Sequence, residues 1–316
     1  MIAARKKFQI LVIVGPTSSG KSELAVKLAG RLNGEIISCD SRQIYRGMNL
    51  GTGKVPGKWH RTVFLGREFS SDEVFVYKGA AHHCIDFINP KRQYSAAMFQ
   101  HAAQKSIADV LRRGKLPILC GGTAHWIDAV VYNQAIPNVR PNLKLRINLE
   151  KKSVDKLYRQ LEKLDPRRAS NIDRFNKRRL IRALEIVICT GKPVPHETWN
   201  MKHEAYETLW VGINPPRSVL ADKIRKRLKQ RINQGMIKEV SGLRRHGLSW
   251  KRLESFGLEY KFVSLYLQKK ITYDELFNRL FIAIRQYSKR QMTWWKRNKN
   301  ISWAQTPLLA QKLIKL

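Results

Sequence analysis

Three groups of residues have the types and spacing for chemistry on a phosphorylated substrate. The first is Gly15-Pro16-Thr17-Ser18-Ser19-Gly20-Lys21-Ser22, which satisfies the phosphate-loop pattern G-x-x-x-x-G-K-[ST] of nucleotide-binding proteins at every fixed position. Its glycines let backbone N–H groups point at a phosphate, and the following helix adds a favourable dipole. Lys21 supplies a point charge, and the Ser22 hydroxyl suits Mg²⁺. The second group is Asp40-Ser41-Arg42-Gln43. From position alone, Asp40 is a Mg²⁺-associated carboxylate, a general base or a cap for the next helix. The third is Gly121-Gly122-Thr123. Two glycines allow backbone to approach a ligand closely, or simply make a tight turn.

Each group needs a strand in front of it, and each has a candidate. Phe8, Ile10, Leu11, Val12, Ile13 and Val14 form a short apolar run before the loop. Glu35 to Cys39 precedes Asp40, Leu116 to Cys120 precedes Gly121, and Leu209 to Ile213 is a further strand candidate. Between them, Leu24, Ala25, Leu28, Ala29 and Leu32 recur at helical spacing, and Tyr94 to Arg113 reads as a second helix. The alternation predicts an α/β fold, a phosphate-loop-type parallel sheet flanked by helices, with ligands at the carboxyl ends of its strands. From Pro137 to about Trp199 helical patterns dominate, including a helix from Asn176 to Thr190 that stops at Gly191 and Pro193. The expected organisation is a core of residues 1–136 and 200–316, with a helical C-terminal part, and a small all-helical insertion over 137–199.

Charge narrows the partner. Sixty Lys and Arg stand against 24 Asp and Glu, giving +36 and a pI near 10.5. One pyrophosphate needs only a few cations, so the excess implies a polyanion, with nucleic acid the default. It is concentrated in Arg217 to Lys299, with 22 basic and six acidic side chains. No basic helix has a clean apolar face and no stretch is long enough to span a bilayer, so no membrane partner is expected. Cys39, Cys84, Cys120 and Cys189 form no C-x-x-C pair. That argues against zinc and disulfides and suits a reducing cytoplasm. The apolar run after Arg5-Lys6-Lys7 is short and lacks a cleavage site, so it reads as a strand and not a secretory leader.

The order of motifs resembles the tRNA dimethylallyltransferase (isopentenyltransferase) family over nearly the whole chain. Asp40, Ser41, Gln43, Tyr45, Arg46, Gly47, Met48, Gly51, Thr52 and Lys54 match its D-S-x-Q-x-Y-R-G-M-x-I-G-T-x-K block. His82-His83-Cys84-Ile85-Asp86, Gly121-Gly122-Thr123, the Arg178 to Glu185 helix and Arg285 to Trp294 match further blocks. The resemblance implies transfer of a dimethylallyl group from dimethylallyl diphosphate to the N6 amine of adenosine-37 in tRNA. It implies that the loop from Gly15 to Ser22 holds the donor's diphosphate with Mg²⁺. It also makes Asp40 the base, with Lys21 and Thr123 beside it. Ser41, Arg42, Gln43, Thr123, Arg146, Arg178, Arg179, Arg182, Arg285, Lys289 and Arg290 then face the tRNA anticodon stem-loop, with Lys144 as a rival to Arg146. A cytoplasmic monomer is expected. Rival readings from the residues are an RNA-stimulated phosphate-loop kinase or NTPase, a non-catalytic RNA-binding protein, and a prenyl transferase for free adenine nucleotides. Two segments depart from the family: Ala124-His125-Trp126 stands for Gly-Leu-Tyr, and Gly257-Leu258-Glu259-Tyr260 for its Gly-Tyr segment.

Overall fold

A computed structural model describes residues 8–61, 73–137, 139–195 and 204–314. The chain divides into two compact units, residues 1–133 with 201–316, and residues 134–200. The first unit is built on one eight-stranded sheet. Its strands are β1 (Ile10–Val14), β2 (Gly34–Ser38), β3 (Lys58–Arg61), β4 (Glu73–Tyr77), β5 (Ala80–His83), β6 (Leu116–Cys120), β7 (Thr208–Ile213) and β8 (Ser302–Ala304). They lie in the order β3-β4-β5-β2-β6-β1-β7-β8. The six from β5 to β8 run parallel, while β3 and β4 pair antiparallel at one edge. In the centre Val12 stands between Leu119 and Trp210, all fully or nearly fully buried, as continuous apolar strands covered on both faces require.

Helices cover both faces. On one side α1 (Lys21–Arg31) packs on the sheet with the C-terminal α13 (Pro307–Lys312), enclosing Leu11, Ile13, Leu24, Leu28 and Ala310. On the other side α2 (Ala96–Arg112) and α3 (Ala124–Val131) join a helical run: α8 (Arg217–Asn233), α9 (Met236–Arg245), α10 (Trp250–Ser255), α11 (Leu258–Leu267) and α12 (Tyr273–Trp295). Four strands were not anticipated from sequence: β3, β4, β5 and β8. All are five residues or fewer; β3 is the exposed Lys-Trp-His-Arg and β5 is Ala-Ala-His-His, without apolar alternation, whereas β4 (Glu-Val-Phe-Val-Tyr) has strand-like composition and was overlooked.

At the amino ends of the strands, away from the loops, charge is tightly paired. Glu35, 1% exposed, accepts two hydrogen bonds from Arg113 (2.6 and 2.7 Å), one from Lys115 (2.6 Å) and meets His83 at 2.7 Å. Burial alone would raise its pKa; these partners outweigh burial and hold the carboxyl well below its ordinary range.

The second unit is all helical: α4 (Leu143–Glu150), α5 (Val154–Leu164), α6 (Pro166–Asn171) and α7 (Lys177–Thr190). Leu149, Leu157, Leu161, Leu180 and Leu184 form its core. Asn176 caps α7 by accepting from Arg179 N, and Gly191 ends it at φ 65°.

Candidate active site

The phosphate loop links β1 to α1, and its shape depends on residues that tolerate positive φ. Gly15 (147°), Ser18 (63°) and Gly20 (93°) all lie there. A β-carbon on Gly15 would meet the Ile213 carbonyl oxygen at 2.5 Å, so β7 leaves room only for hydrogen. Inside the loop, Ser19 is fully buried and its hydroxyl has no partner among the described residues. Lys21 Nζ donates to Pro16 O at 3.1 Å. Desolvation lowers the Lys21 pKa, while Cys120 and Asp40 pull it back up. A cavity of about 410 Å³ opens on the loop, lined by Ser18, Gly20, Lys21, Ser22, Gly53, Lys223, Lys226 and Arg227 among others.

Arg227 on α8 was not singled out from sequence. Its Nη1 lies 3.5 Å from Ser18 Oγ and its Nη2 lies 3.4 Å from Gly53 O. Burial lowers its pKa to about 10 with Arg231 adding repulsion, so two guanidiniums and an ammonium are held together with too few carboxylates. Such a site is complementary to an anion. Arg227 is one of 22 cations in its segment, and nothing in the spacing marks it out.

Asp40 follows β2, and Gly121 and Gly122 follow β6. A β-carbon on Gly121 would fall 2.1 Å from Cys39 O, so glycine is what lets the two strand ends close together. Thr123 N then donates to Cys39 O (3.1 Å), and Ser41 N donates to Thr123 Oγ1 (2.9 Å). Asp40 Oδ1 accepts from Arg42 N (2.9 Å), a local turn cap that leaves Oδ2 beside Gly122. Asp40 favours the charged forms of Lys21, Arg42, Arg227 and Arg231, so it shares one field with the loop cations.

One side chain joins the two halves. Gln291 of α12, 5% exposed, accepts from Thr17 N (2.9 Å) through Oε1 and donates to Gly122 O (2.8 Å) through Nε2. Tyr287, one turn earlier, also donates to Gly122 O at 3.3 Å. The segment after Gln43 is fixed as firmly. Glu239 accepts from the backbone of Asn49 (2.9 Å), Leu50 (2.7 Å) and Gly51 (3.1 Å) and from Tyr260 (2.7 Å). Gln43 donates to Gly53 O at 3.4 Å.

The departing segments have structural explanations. Trp126 is buried and stacks on Phe99 at 4.1 Å, so it belongs to the core. Glu259 pairs with Arg231 at 3.3 Å beside Gly53.

The candidate RNA-facing residues separate into distinct settings. Arg42 is committed to Phe256 O (2.8 Å) and lies over the Phe256 ring. Arg285, Lys289 and Arg290 are exposed on α12. Arg285 and Lys289 line a cavity of about 910 Å³ between α8 and α12, shared with Arg217 and Lys296; that cavity is not lined by the phosphate loop. In the helical unit Arg178 and Arg179 are exposed, whereas Arg146 and Arg182 both bind Glu185, at 2.7 and 2.6 Å. Lys144, the rival to Arg146, is exposed on α4.

Among the described residues, no cluster of three or more His, Cys, Asp or Glu could hold a metal, and no helix is long and apolar enough to cross a membrane. Of the oxygen donors lining the anion cavity, which include Ser18 and Glu23, the Ser22 hydroxyl is the one at the metal position of the phosphate-loop pattern. It fits a hard cation such as Mg²⁺ that keeps several waters and takes its remaining ligands from substrate phosphates.

Comparison with known proteins identifies the family. A family model described as IPP transferase matches residues 43–298, and one described as isopentenyl transferase matches residues 8–62. A protein of Syntrophus aciditrophicus named tRNA dimethylallyltransferase 1 is 38% identical, over 91% of this chain and 89% of its own. The full-length tRNA isopentenylpyrophosphate transferase of Bacillus halodurans superposes with a TM-score of 0.66 at 33% identity, covering 96% of this chain and 94% of that one. A eukaryotic dimethylallyltransferase acting on tRNA gives 0.72 at 25% identity, over 95% and 74%. These likenesses favour neither a kinase nor an enzyme for free nucleotides. With a family model matching most of its length and a relative 38% identical over 91% of it, the chain belongs to the tRNA dimethylallyltransferase (IPP transferase) family.

Proposed function

We propose that this protein transfers a dimethylallyl group from dimethylallyl diphosphate to the exocyclic N6 amine of adenosine-37 in tRNA. The observation that carries the reading is Gln291, which ties the anion cradle at Thr17 to the carboxylate corner at Gly122. Donor and acceptor sites are thereby set at a fixed separation, as a two-substrate alkyl transfer needs.

The diphosphate sits on the amides of Gly15 to Ser22 with Lys21 and Arg227 against it. Ser19 offers its unpartnered hydroxyl there. The N6 lone pair attacks the first carbon of the prenyl group, the C–O bond breaks, and the diphosphate leaves with the bonding electrons. Lys21, Arg227 and the loop amides stabilise the charge that grows on the leaving oxygen. Mg²⁺ held by Ser22 and the diphosphate oxygens would neutralise further charge there. Asp40 Oδ2 takes the N6 proton, a contribution of roughly 10²–10⁴-fold. Thr123, hydrogen-bonded to Ser41, holds the target nucleotide beside Asp40. Such a base reacts only once extruded from its stacked loop.

The core of residues 1–136 and 200–316 performs the chemistry, and the helical insertion of 137–199 contacts the anticodon stem-loop. Arg178 and Arg179 there, and Arg285, Lys289 and Arg290 on α12, bind phosphates, while Ser41, Arg42 and Gln43 lie near the extruded base. Arg146 and Arg182 reach RNA only with the donors left over from Glu185. The protein works as a cytoplasmic monomer.

The test is incubation with dimethylallyl diphosphate, Mg²⁺ and unmodified tRNA, followed by mass spectrometry of the nucleosides. Prenylated adenosine at position 37 is expected. Prenylated AMP with untouched tRNA, or brisk ATP hydrolysis without prenyl transfer, would overturn the reading.

A further inference from the structure

Phe175 has the highest exposure of the large apolar side chains among the described residues, at 77%. It occupies the position just before the Asn176 cap of α7, where an apolar side chain commonly folds down onto the fourth residue of the helix. That residue, Leu180, is fully buried without it. The Phe175 ring instead faces water.

Its backbone is nonetheless pinned. Phe175 N donates to Asp173 Oδ1 at 3.2 Å, Asn176 N donates to Asp173 O at 3.0 Å, and Asn176 Oδ1 accepts from Arg179 N. The neighbouring Arg174 guanidinium lies 5.3 Å from the Phe175 ring centroid and 5.3 Å from that of Tyr158 on α5. An aromatic ring is thus presented on a rigid stem, backed by a cation. Arg178 and Arg179 stand exposed in the next helical turn.

The surroundings select the partner. Residues 134–200 hold sixteen Lys and Arg against seven Asp and Glu. Two of those acids, Asp165 and Glu185, are buried and present no carboxylate to a ligand at the surface. A lone apolar protein contact would be poorly served by such a rim. A single-stranded nucleic acid is well served, because its phosphates meet the arginines and an unstacked base has a face to lay on the ring.

We propose that Phe175, backed by Arg174, is a stacking platform for an unpaired base of the tRNA substrate. Arg178 and Arg179 hold the adjoining phosphates. The inference rests on tRNA being the acceptor and adds a base contact that charge alone does not provide. It concerns a tRNA base held outside the catalytic corner.

The test is tRNA binding and steady-state prenylation by Phe175→Ala, Phe175→Leu and Phe175→Trp in the full-length protein. The exposed ring predicts unchanged melting temperatures. Phe175→Ala and Phe175→Leu should weaken tRNA binding about tenfold and raise the KM for tRNA alike. The KM for dimethylallyl diphosphate and the turnover at saturating tRNA should stay as they were. Phe175→Trp should restore affinity, and its added fluorescence should be quenched by tRNA. Salt dependence should be unaltered in Phe175→Ala, because stacking releases no counterion. Unchanged tRNA affinity in Phe175→Ala, full rescue by Leu, or a change in self-association in place of RNA binding would overturn the platform. Prenylation of tRNA by the wild-type protein would still stand in each case. Absence of that activity in the wild type would instead remove the function on which the platform rests.

Discussion

Arginines do opposite work in the two units. Around the phosphate loop, Arg227 lies among Lys21 and Arg231, with Asp40 and Glu259 favouring its charge, and among the described residues its hydrogen bonds are long, 3.5 Å to Ser18 Oγ and 3.4 Å to Gly53 O. In the helical unit Arg146 and Arg182 converge on one fully buried carboxylate. Glu185 accepts Arg146 Nε and Nη2 at 2.8 and 2.7 Å, Arg182 Nη1 at 2.6 Å and Asn142 N at 2.7 Å. Burial alone would raise the Glu185 pKa; these donors overcome it and hold the carboxyl low. A saturated carboxylate builds structure, while an unsaturated cation cluster awaits a ligand.

The largest expected effect tests the first half of that contrast. Asp40→Asn should lower turnover by roughly 10²–10⁴-fold with donor KM little changed, while Lys21→Ala raises donor KM. Steady-state kinetics decide it; a turnover within a few-fold of wild type would remove Asp40 as the base. The reciprocal change is Glu185→Gln, which leaves two guanidiniums facing a neutral amide. It should destabilise the protein by about 3 kcal/mol, at the low end for a broken buried pair because both arginines keep some water. Thermal melting reads it, and lost turnover with an unshifted melt would break the contrast.

A smaller effect comes from a buried carboxylate with no ion pair among the described residues. Asp128 accepts from Trp294 Nε1 at 2.7 Å, joining α3 to α12. Burial raises its pKa from 3.8 to about 7, against the pull of Trp294 and Arg297. The folded protein therefore keeps this proton in a range where the unfolded chain has lost it. The stability it contributes is fully present below pH 3.8 and is lost as pH rises to about 7. Relative to Asp128→Asn, wild type should lose on the order of 2 kcal/mol across that window; parallel pH–stability curves would refute this. The smallest effect separates the outer arginines. Arg178→Ala should reduce the salt slope of tRNA binding by about one with no change in melting, whereas Arg182→Ala should lower the melting temperature. Identical behaviour of the two would erase the distinction.

The phosphate loop, Asp40 and Gly121-Gly122-Thr123 were legible because each sits at the end of an apolar strand, where a local pattern carries the information. The helix Lys177–Thr190 was legible for the same reason, with Asn176 and Gly191 as its punctuation. What was hidden depends on distance along the chain. Gln291 meets Thr17 across 274 positions, and Glu239 reaches Asn49 across 190. Arg227 and Arg231 lie in a stretch so basic that no single cation stands out. At the antiparallel edge, β3 is a fully exposed Lys-Trp-His-Arg with no apolar face, and Glu-Val-Phe-Val-Tyr in β4, though strand-like, finds its partner only through pairing with β3 and β5.

The choice of an amide at position 291 has a chemical corollary. A carboxamide offers an acceptor at one end and a donor at the other, and both are in use here. Glutamate has the same outline but only acceptors. It would face the Gly122 carbonyl with a lone pair and would bring a negative charge to the very spot that must welcome one from outside. At this junction polarity, more than shape, decides which side chain can serve.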